Sequence, residues 1–332
     1  MVRKSLTDST EKANGKEPPR YVFIINPISG RKSKKRIGNL IKATFPAAEA
    51  VVEYTRVPGH AYTLAHDYAS KGTPFCIAVG GDGTVNEVAS ALVNSVSSLG
   101  IIPAGSGNGL SKTLKIPRTI KGALQVIQQH SIRTIDAGTI NKRFFFSNCG
   151  IGFDAHIGHV FAQRRKRGFT GYIRSVLHYY AGYKPKKYKL NIDGEKFKFR
   201  AFLITIANSG QYGNNVYISP RSSLDDGLLD VCIVKPFPKA AVLPLGVKLI
   251  GKKIDRSPYL EVIRGKTIRL KGRKRKQYIH YDGEPLVVKG KIKVGIRPGV
   301  LKVMVPKVPL IKKHLRKYSS GRRHKNSRLQ GI

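Results

Sequence analysis

The chain has 332 residues, enough for two domains with a sizeable core in each. Its 61 Lys and Arg against 19 Asp and Glu leave a net charge of +42, which an enzyme for a small neutral metabolite does not need and which points to an anionic surface, either membrane phospholipid or nucleic acid. Cys76, Cys149 and Cys232 lie too far apart for a disulfide framework or a zinc site and fit a reducing cytosol, while the absence of an apolar h-region or of any apolar run near 20 residues speaks against a signal peptide and a spanning helix.

Residues 1–19 read as a disordered arm closed by Pro18 and Pro19. The apolar run 21–25 is of the kind a doubly covered parallel strand shows. It stops at the turn Asn26-Pro27-Ile28-Ser29-Gly30, and a basic helix follows near Ser33 with Ile37, Leu40 and Ile41 on one face. A second strand at 50–55 leads through Pro58 and Gly59 into a helix carrying Tyr62, Leu64, Ala65 and Tyr68. His60 at its start reads as a cap or a packing residue rather than a catalytic histidine.

The third apolar run, 75–79, enters Gly80-Gly81-Asp82-Gly83-Thr84-Val85-Asn86-Glu87, and residues 88–93 have helical spacing. Glycines in a strand-to-helix turn let the backbone approach a ligand, and the first N–H groups of the new helix face outward, an arrangement that suits phosphate. Asp82 would repel a bare phosphate, so a metal or a hydroxyl is expected between them, most simply Mg2+ on a nucleotide. The plainer reading is a turn that only connects, but Asp, Thr, Asn and Glu crowded into the same stretch count against it.

A fourth strand at 99–103 runs into Ala104-Gly105-Ser106-Gly107-Asn108-Gly109-Leu110, which again presents backbone N–H groups at a helix start. A helix at 120–129 completes four strand-helix units, a doubly wound α/β sheet with each phosphate loop at the C-terminal end of a strand. After a linker near Ile135 and Asp136 the rhythm changes to short extended runs: 140–148, 188–192 with the hairpin turn Asp193-Gly194, 196–207, 228–234, 267–270, 278–281, 286–288 and 291–305. Helices near 171–183 and 239–249 interrupt this mostly antiparallel β-rich domain. The expected organisation is an arm at 1–19, an α/β nucleotide domain at 20–136, a β-rich domain at 137–306 and a basic tail at 307–332.

Gly150-Ile151-Gly152-Phe153-Asp154-Ala155 matches G-x-G-x-x-A but lacks the early place in a βαβ unit that a dinucleotide fingerprint needs. The aromatic, basic stretch 161–183 suits a bilayer interface or a solvated helix face equally. From Lys312 onward there is no acid. At about 1 kcal/mol per basic residue near an anionic leaflet such a tail could hold the protein at a membrane, or it could simply be a solubilising end. Lys and Arg are spread over the whole chain with no finger, basic-zipper or RNP1 pattern, so nucleic acid is not expected as a partner.

Gly80-Gly81-Asp82-Gly83-Thr84 with Asn86-Glu87 resembles the signature of the diacylglycerol kinase and sphingosine kinase family of lipid kinases. Its five-residue core also occurs in NAD kinases and distantly in phosphofructokinases, so by itself it marks only the superfamily. Further motifs follow in the family's order up to Glu284. The resemblance implies an N-terminal ATP-binding domain, a C-terminal β-sandwich that binds lipid, and ATP with Mg2+ as cofactors. It assigns the nucleotide to three loops: Asn26, Pro27, Ser29 and Gly30, with Arg31 where the family has Lys; Gly80, Gly81, Asp82, Gly83, Thr84, Asn86 and Glu87; and Gly105, Ser106, Gly107 and Asn108. Thr55, ahead of Gly59-His60-Ala61, would touch the nucleotide as well. Gly109 stands where many bacterial diacylglycerol kinases carry an acid of the metal network, and the loop looks closer to the sphingosine kinase form.

In the second domain the resemblance gives Asp154 to the acceptor's headgroup. It gives Asp226, with backbone carbonyls near Ser223 and Leu228, to a structural Mg2+, against the plain alternative of a hairpin turn with exposed acids. Of the pair Asp282 and Glu284, one accepts the proton of the attacking hydroxyl; Asp282 is preferred, with Glu284 in its metal or hydrogen-bond network, and the roles are exchangeable. Asp82 completes the catalytic set by helping a Mg2+ bridge the phosphates. The implied activity is transfer of the γ-phosphate of ATP to a hydroxyl of diacylglycerol or a sphingoid base. The protein would be cytoplasmic and peripheral at the inner face of an anionic membrane, with a homodimer left open. A soluble NAD kinase-like enzyme and a nucleic-acid-binding protein on a kinase scaffold are the alternatives.

Overall fold

The apolar runs of the first domain become four strands of one parallel sheet in the computed structural model, which describes residues 20–30, 34–153, 155, 157, 178–180, 182–213 and 215–307. The arm at 1–19, Arg31, Asp154, most of the aromatic basic stretch and the tail beyond Lys307 lie outside the described residues. In chain order the elements are β1 (Tyr21–Ile25), α1 (Lys34–Thr44), β2 (Ala50–Tyr54), α2 (His60–Ser70), β3 (Phe75–Gly80), α3 (Asp82–Ala91), β4 (Ser98–Pro103), α4 (Gly109–Thr113) and α5 (Ile120–Gln128). The strands lie side by side as β2, β1, β3, β4, with Tyr21 opposite both Ala50 and Phe75, and Phe75 opposite Ser98. Every residue of β1 and β4 is buried, because helices cover both faces of a parallel sheet. Ile37 and Ile41 of α1 and Ala123, Leu124 and Ile127 of α5 supply the apolar stripes that close over the sheet.

The helix after β3 begins earlier than its apolar spacing predicts. Asp82, Gly83 and Thr84 are its first turn, with Gly81 as N-cap in extended conformation, so the glycine-rich run is itself helical. Thr84 and Val85 pack inward, which overrides the low helix propensity of Gly83.

The second domain is antiparallel: β5 (Ile132–Ile140), β6 (Arg143–Phe145), β7 (Asn148–Gly152), β8 (Lys186–Ile192), β9 (Glu195–Ala201), β10 (Leu203–Ala207), β11 (Gln211–Gly213), β12 (Val216–Tyr217), β13 (Leu229–Val234), α6 (Val242–Ile250), β14 (Leu260–Gly265), β15 (Thr267–Tyr281) and β16 (Glu284–Met304). Strands run in the order β14, β13, β10, β7, β15, β16, and the β8-β9 hairpin attaches to β15. Asp193 and Gly194 both have positive φ, as a type I′ hairpin turn requires.

Two expectations are corrected here. The runs at 267–270 and 278–281 form one bulged strand, β15, and those at 286–288 and 291–305 form one long strand, β16. The proposed linker at Ile135 and Asp136 is the middle of β5, buried and paired with β16 from Met304 opposite Ile132 to Val294 opposite Ile140. Residue 136 is therefore strand rather than linker.

Strand β16 itself joins the two halves. Its Ile292 and Val294 belong to the core of the β domain, while Leu301, Val303 and Met304 belong to the core of the α/β domain. Val303 pairs parallel with Leu99 of β4, so the two sheets are one hydrogen-bonded surface. The register shifts between Arg297 and Leu301, where Gly299 has φ +63. Asp136 anchors that irregularity: one carboxylate oxygen accepts from Gly299 N at 2.8 Å and the other from Gly227 N at 2.8 Å.

Candidate active site

Three loops leave the C-terminal ends of β1, β3 and β4 side by side, the edge where parallel sheets present ligands. In the first, Asn26 Oδ1 accepts from Ile28 N, Ser29 Oγ donates to Asn26 O, and Asn26 Nδ2 donates to Thr84 Oγ1 at 3.1 Å, tying this loop to the first turn of α3. Pro27 is exposed at its rim. Gly30 has φ +62, and a β-carbon there would collide with the carbonyl oxygen of Ala104. A β-carbon on Gly105 would strike Gly81 Cα, and one on Gly107 would strike the Asp82 carboxylate. The glycines are thus what lets three backbones meet, leaving the exposed Ser106 at the loop tip.

Asp82 does not project as a bare carboxylate. Its Oδ2 accepts from Asn108 N at 2.8 Å and its Oδ1 from Gly109 N at 2.7 Å, clamping the third loop onto the second. Burial pushes its pKa up, while the Gly109 and Asn108 amides and the Lys112 ammonium oppose that rise. Asn108, with φ +55, closes its own loop by donating to Gly105 O and accepting from Gly105 N.

Two acidic or amide side chains placed with the nucleotide by sequence have other duties in the structure. Glu87 accepts from Gly59 N at 2.9 Å and Ala61 N at 3.1 Å, so it caps the N-terminus of α2 from the neighbouring helix. His60 Nδ1 accepts from Arg56 N in the loop that leads into α2, so it ties that loop to the helix start rather than capping the helix. Asn86 is buried and donates to Phe144 O and to Asp282 Oδ2. Thr55 follows β2 half-buried, its amide bound to Ile25 O.

Asp282 and Gly283 are the two positive-φ residues of the turn between β15 and β16, flanked by the Tyr281-Glu284 pair. The Asp282 carboxylate accepts from Phe146 N, Ser147 N and Asn148 N as well as from Asn86 Nδ2, at 2.8 to 3.1 Å. Burial raises its pKa, and these donors pull it back. With both oxygens occupied, Asp282 fits the role of a clasp between the domains better than that of a proton acceptor. Glu284 is exposed, and its Oε1 lies 2.8 Å from where a β-carbon on Gly83 would stand, so it overhangs the first turn of α3. Asp82 and Asn86 share one face of α3, four residues apart, so the Asn86-Asp282 bond and the overhang of Glu284 bring the β15-β16 hairpin to the helix start that carries Asp82.

The turn at 225–228 carries two acids with different partners. Asp225 is held by Ser223 Oγ and by two Arg133 nitrogens, which keep its carboxyl below the usual range. Asp226 accepts from Leu228 N, and Arg264 lies 3.8 Å from its other oxygen. Ser223, Asp226 and Leu228 thus lie in one tight turn beside Arg264, and one carboxylate with nearby backbone carbonyls is the oxygen set a hard cation takes. Among the described residues no group of three or more Asp, Glu, His or Cys side chains could hold a metal.

Sequence reasoning missed Lys112, whose ammonium feels Asp82 and whose pKa is lowered by burial and by Arg118. It also missed the Phe146-Ser147-Asn148 amides that bind Asp282, and Asn208, whose side-chain amide donates to Asp136 O and Phe146 O. The available signal was a polar Ser-Asn pair, buried between Phe146 and Cys149.

Residues 20–140 match the diacylglycerol kinase catalytic domain, and residues 147–305 match the YegS C-terminal NAD kinase beta sandwich-like domain. A diacylglycerol kinase of Bacillus subtilis (strain 168) is 31% identical over 222 residues, spanning 64% of this chain and 73% of that protein. A probable lipid kinase YegS-like of Pseudomonas aeruginosa (strain UCBPP-PA14) is 28% identical over 269 residues, 78% of this chain and 85% of the relative. The fold is shared with the crystal structure of a diacylglycerol kinase from Bacillus anthracis str. Sterne, with a TM-score of 0.67 at 22% identity, over 86% of this chain and 97% of that one. With its glycine loops and both domains matched in order, the chain belongs to the diacylglycerol kinase family of lipid kinases.

Proposed function

We propose that the protein transfers the γ-phosphate of ATP to the hydroxyl of a lipid, diacylglycerol or a sphingoid base, at a membrane surface. The observation that carries this reading is the Asn86-Asp282 bond, because it fixes the hairpin bearing Glu284 over the helix start that would receive the phosphates. The outward N–H groups at the start of α3 and the loops at Asn26 and Gly105 suit a polyphosphate.

Glu284 is the proton acceptor in this reading, since it is exposed and its Oε1 overhangs the first turn of α3, where the phosphates would lie. Asp82 positions the third loop. A Mg2+ held on nucleotide phosphates needs only one or two carboxylates, and Asp82, at the helix start among the three loops, would be the one to meet that need. When bound it would neutralise charge on the transferring phosphoryl group. The match of the second domain to an NAD kinase-like sandwich keeps NAD in the test as the competing acceptor. Purified protein should be incubated with labelled ATP and separate preparations of diacylglycerol, sphingoid base, phosphatidylglycerol and NAD. Label in diacylglycerol or the sphingoid base supports the proposal; label in NAD alone refutes it.

A further inference from the structure

We infer that α6 and its flanks are the surface by which this protein docks on an anionic phospholipid membrane. The inference rests on the lipid-kinase reading for its choice of partner, and its test reads docking without reference to turnover.

Helix α6 has the sequence Val-Leu-Pro-Leu-Gly-Val-Lys-Leu-Ile and is apolar on both sides. Leu245 is buried, and Leu249 packs on the cluster of Phe153, Phe202 and Val234. That inner face accounts for folding. On the outer face Leu243, Val247 and Ile250 are 78%, 64% and 62% exposed, and their spacing of four and three residues puts them in one stripe. Three large aliphatic side chains offered to water within eight residues exceed what scattered surface hydrophobics explain.

The charge around the stripe selects the occupant. Lys239 precedes the helix, Lys252, Lys253 and Arg256 follow it, and all four are exposed. No acid occurs from Lys235 to Ile254, and the next one, Asp255, is paired with Arg221 at 2.9 Å. An apolar stripe with cations at both ends is the pattern of a helix lying in a bilayer interface: side chains enter the acyl boundary and lysines meet phosphate headgroups. No helix among the described residues is long and apolar enough to cross a membrane, so contact from the side is the geometry to which this face is suited.

Its position also connects it to the β15-β16 hairpin. Lys252 Nζ lies 4.3 Å from the centre of the Tyr217 ring, Tyr217 OH is 3.3 Å from Gln211 Nε2, Gln211 O accepts from Asn148 Nδ2, and Asn148 N donates to Asp282. A short chain of contacts thus links the C-terminal end of α6 to the hairpin that carries Glu284.

The chain contains no tryptophan, so Leu243→Trp would be the sole indole reporter. The full-length variant is mixed with vesicles of phosphatidylcholine containing phosphatidylglycerol, with and without bromine-labelled acyl chains. The expected result is a blue shift of emission on mixing and quenching by the brominated chains. Sedimentation of Leu243→Glu/Val247→Glu/Ile250→Glu with the same vesicles should fall at least about tenfold, with an unchanged circular dichroism spectrum. Vesicle binding that leaves the indole unshifted would put the contact elsewhere and overturn the inference. So would absence of vesicle binding, emission already blue-shifted in free protein, or a wild-type dimer that the triple variant turns into a monomer; the last two would mean that the chain itself or a second copy covers the stripe. Loss of lipid kinase activity with intact insertion would count against the proposed function and leave the docking surface standing.

Discussion

Asn86 Nδ2 donates to Asp282 Oδ2 across 2.8 Å, although 196 residues separate the two in the chain. The bond joins α3 of the α/β domain to the β15-β16 hairpin of the β domain. Asn86→Ala removes one donor from a buried carboxylate and leaves Phe144 O without its side-chain donor, so it should lower stability by about 1–3 kcal/mol. Asn86→Asp should cost more, because it sets one carboxylate against another. Urea unfolding of both variants checks the order.

Glu284 and Asp282 should separate by phenotype. Glu284→Gln is expected to lower kcat by roughly 10²–10⁴-fold with an unchanged melting temperature, as loss of a general base does. Asp282→Asn turns an amide NH2 toward backbone donors, so activity and melting temperature should fall together. Kinase assays paired with thermal melts decide it; a thermally silent Asp282→Asn would show that the clasp is not needed.

Burial raises the pKa of Asp82 and of Asp282 in the folded protein. Such an acid keeps its proton in the folded state where the unfolded chain, titrating near about 4, has lost it. The folded state then binds more protons, so stability falls as pH climbs from about 4 through the folded pKa and levels off above it. Asp225, held low by Ser223 and Arg133, acts in the opposite sense below its unfolded value. Urea midpoints between pH 4 and 8 should therefore decline less steeply in Asp82→Asn than in wild type; identical slopes would count against a raised Asp82.

Gly105 and Gly246 make a matched pair. A β-carbon on Gly105 meets Gly81 Cα, and backbone cannot swing aside, so Gly105→Ala should spread the loops and weaken ATP binding at least about tenfold. In α6 nothing lies within 4 Å of a β-carbon on Gly246, so Gly246→Ala should be neutral or stabilise by up to about 1 kcal/mol. Nucleotide titration of the first and melting of the second provide the comparison.

Asp136→Ala should destabilise by about 2–4 kcal/mol, since it strands the amides of Gly227 and Gly299 at the register shift of β16. A flexible interdomain linker at this position would instead tolerate the change. Chemical unfolding distinguishes the two outcomes.

The sequence by itself determined the parallel strands, the glycine loops at their ends, the Asp193-Gly194 hairpin and the antiparallel character of the second half. These follow from apolar periodicity and turn chemistry, which are properties of neighbouring residues. The start of α3 was misplaced because Gly83 and Thr84 are poor helix formers held in place by packing. What only the tertiary structure decided is the use made of each polar group. Glu87 caps a helix 26 residues before it, Asp82 clamps a loop 26 residues after it, and Asp282 is filled by amides 134 to 136 residues earlier. Strand β16 likewise serves two cores at once, drawing residue 136 inside. Such pairings depend on which backbone amides the fold delivers to a given carboxylate, and hydrogen-bond partners so distant leave no periodic trace in the chain.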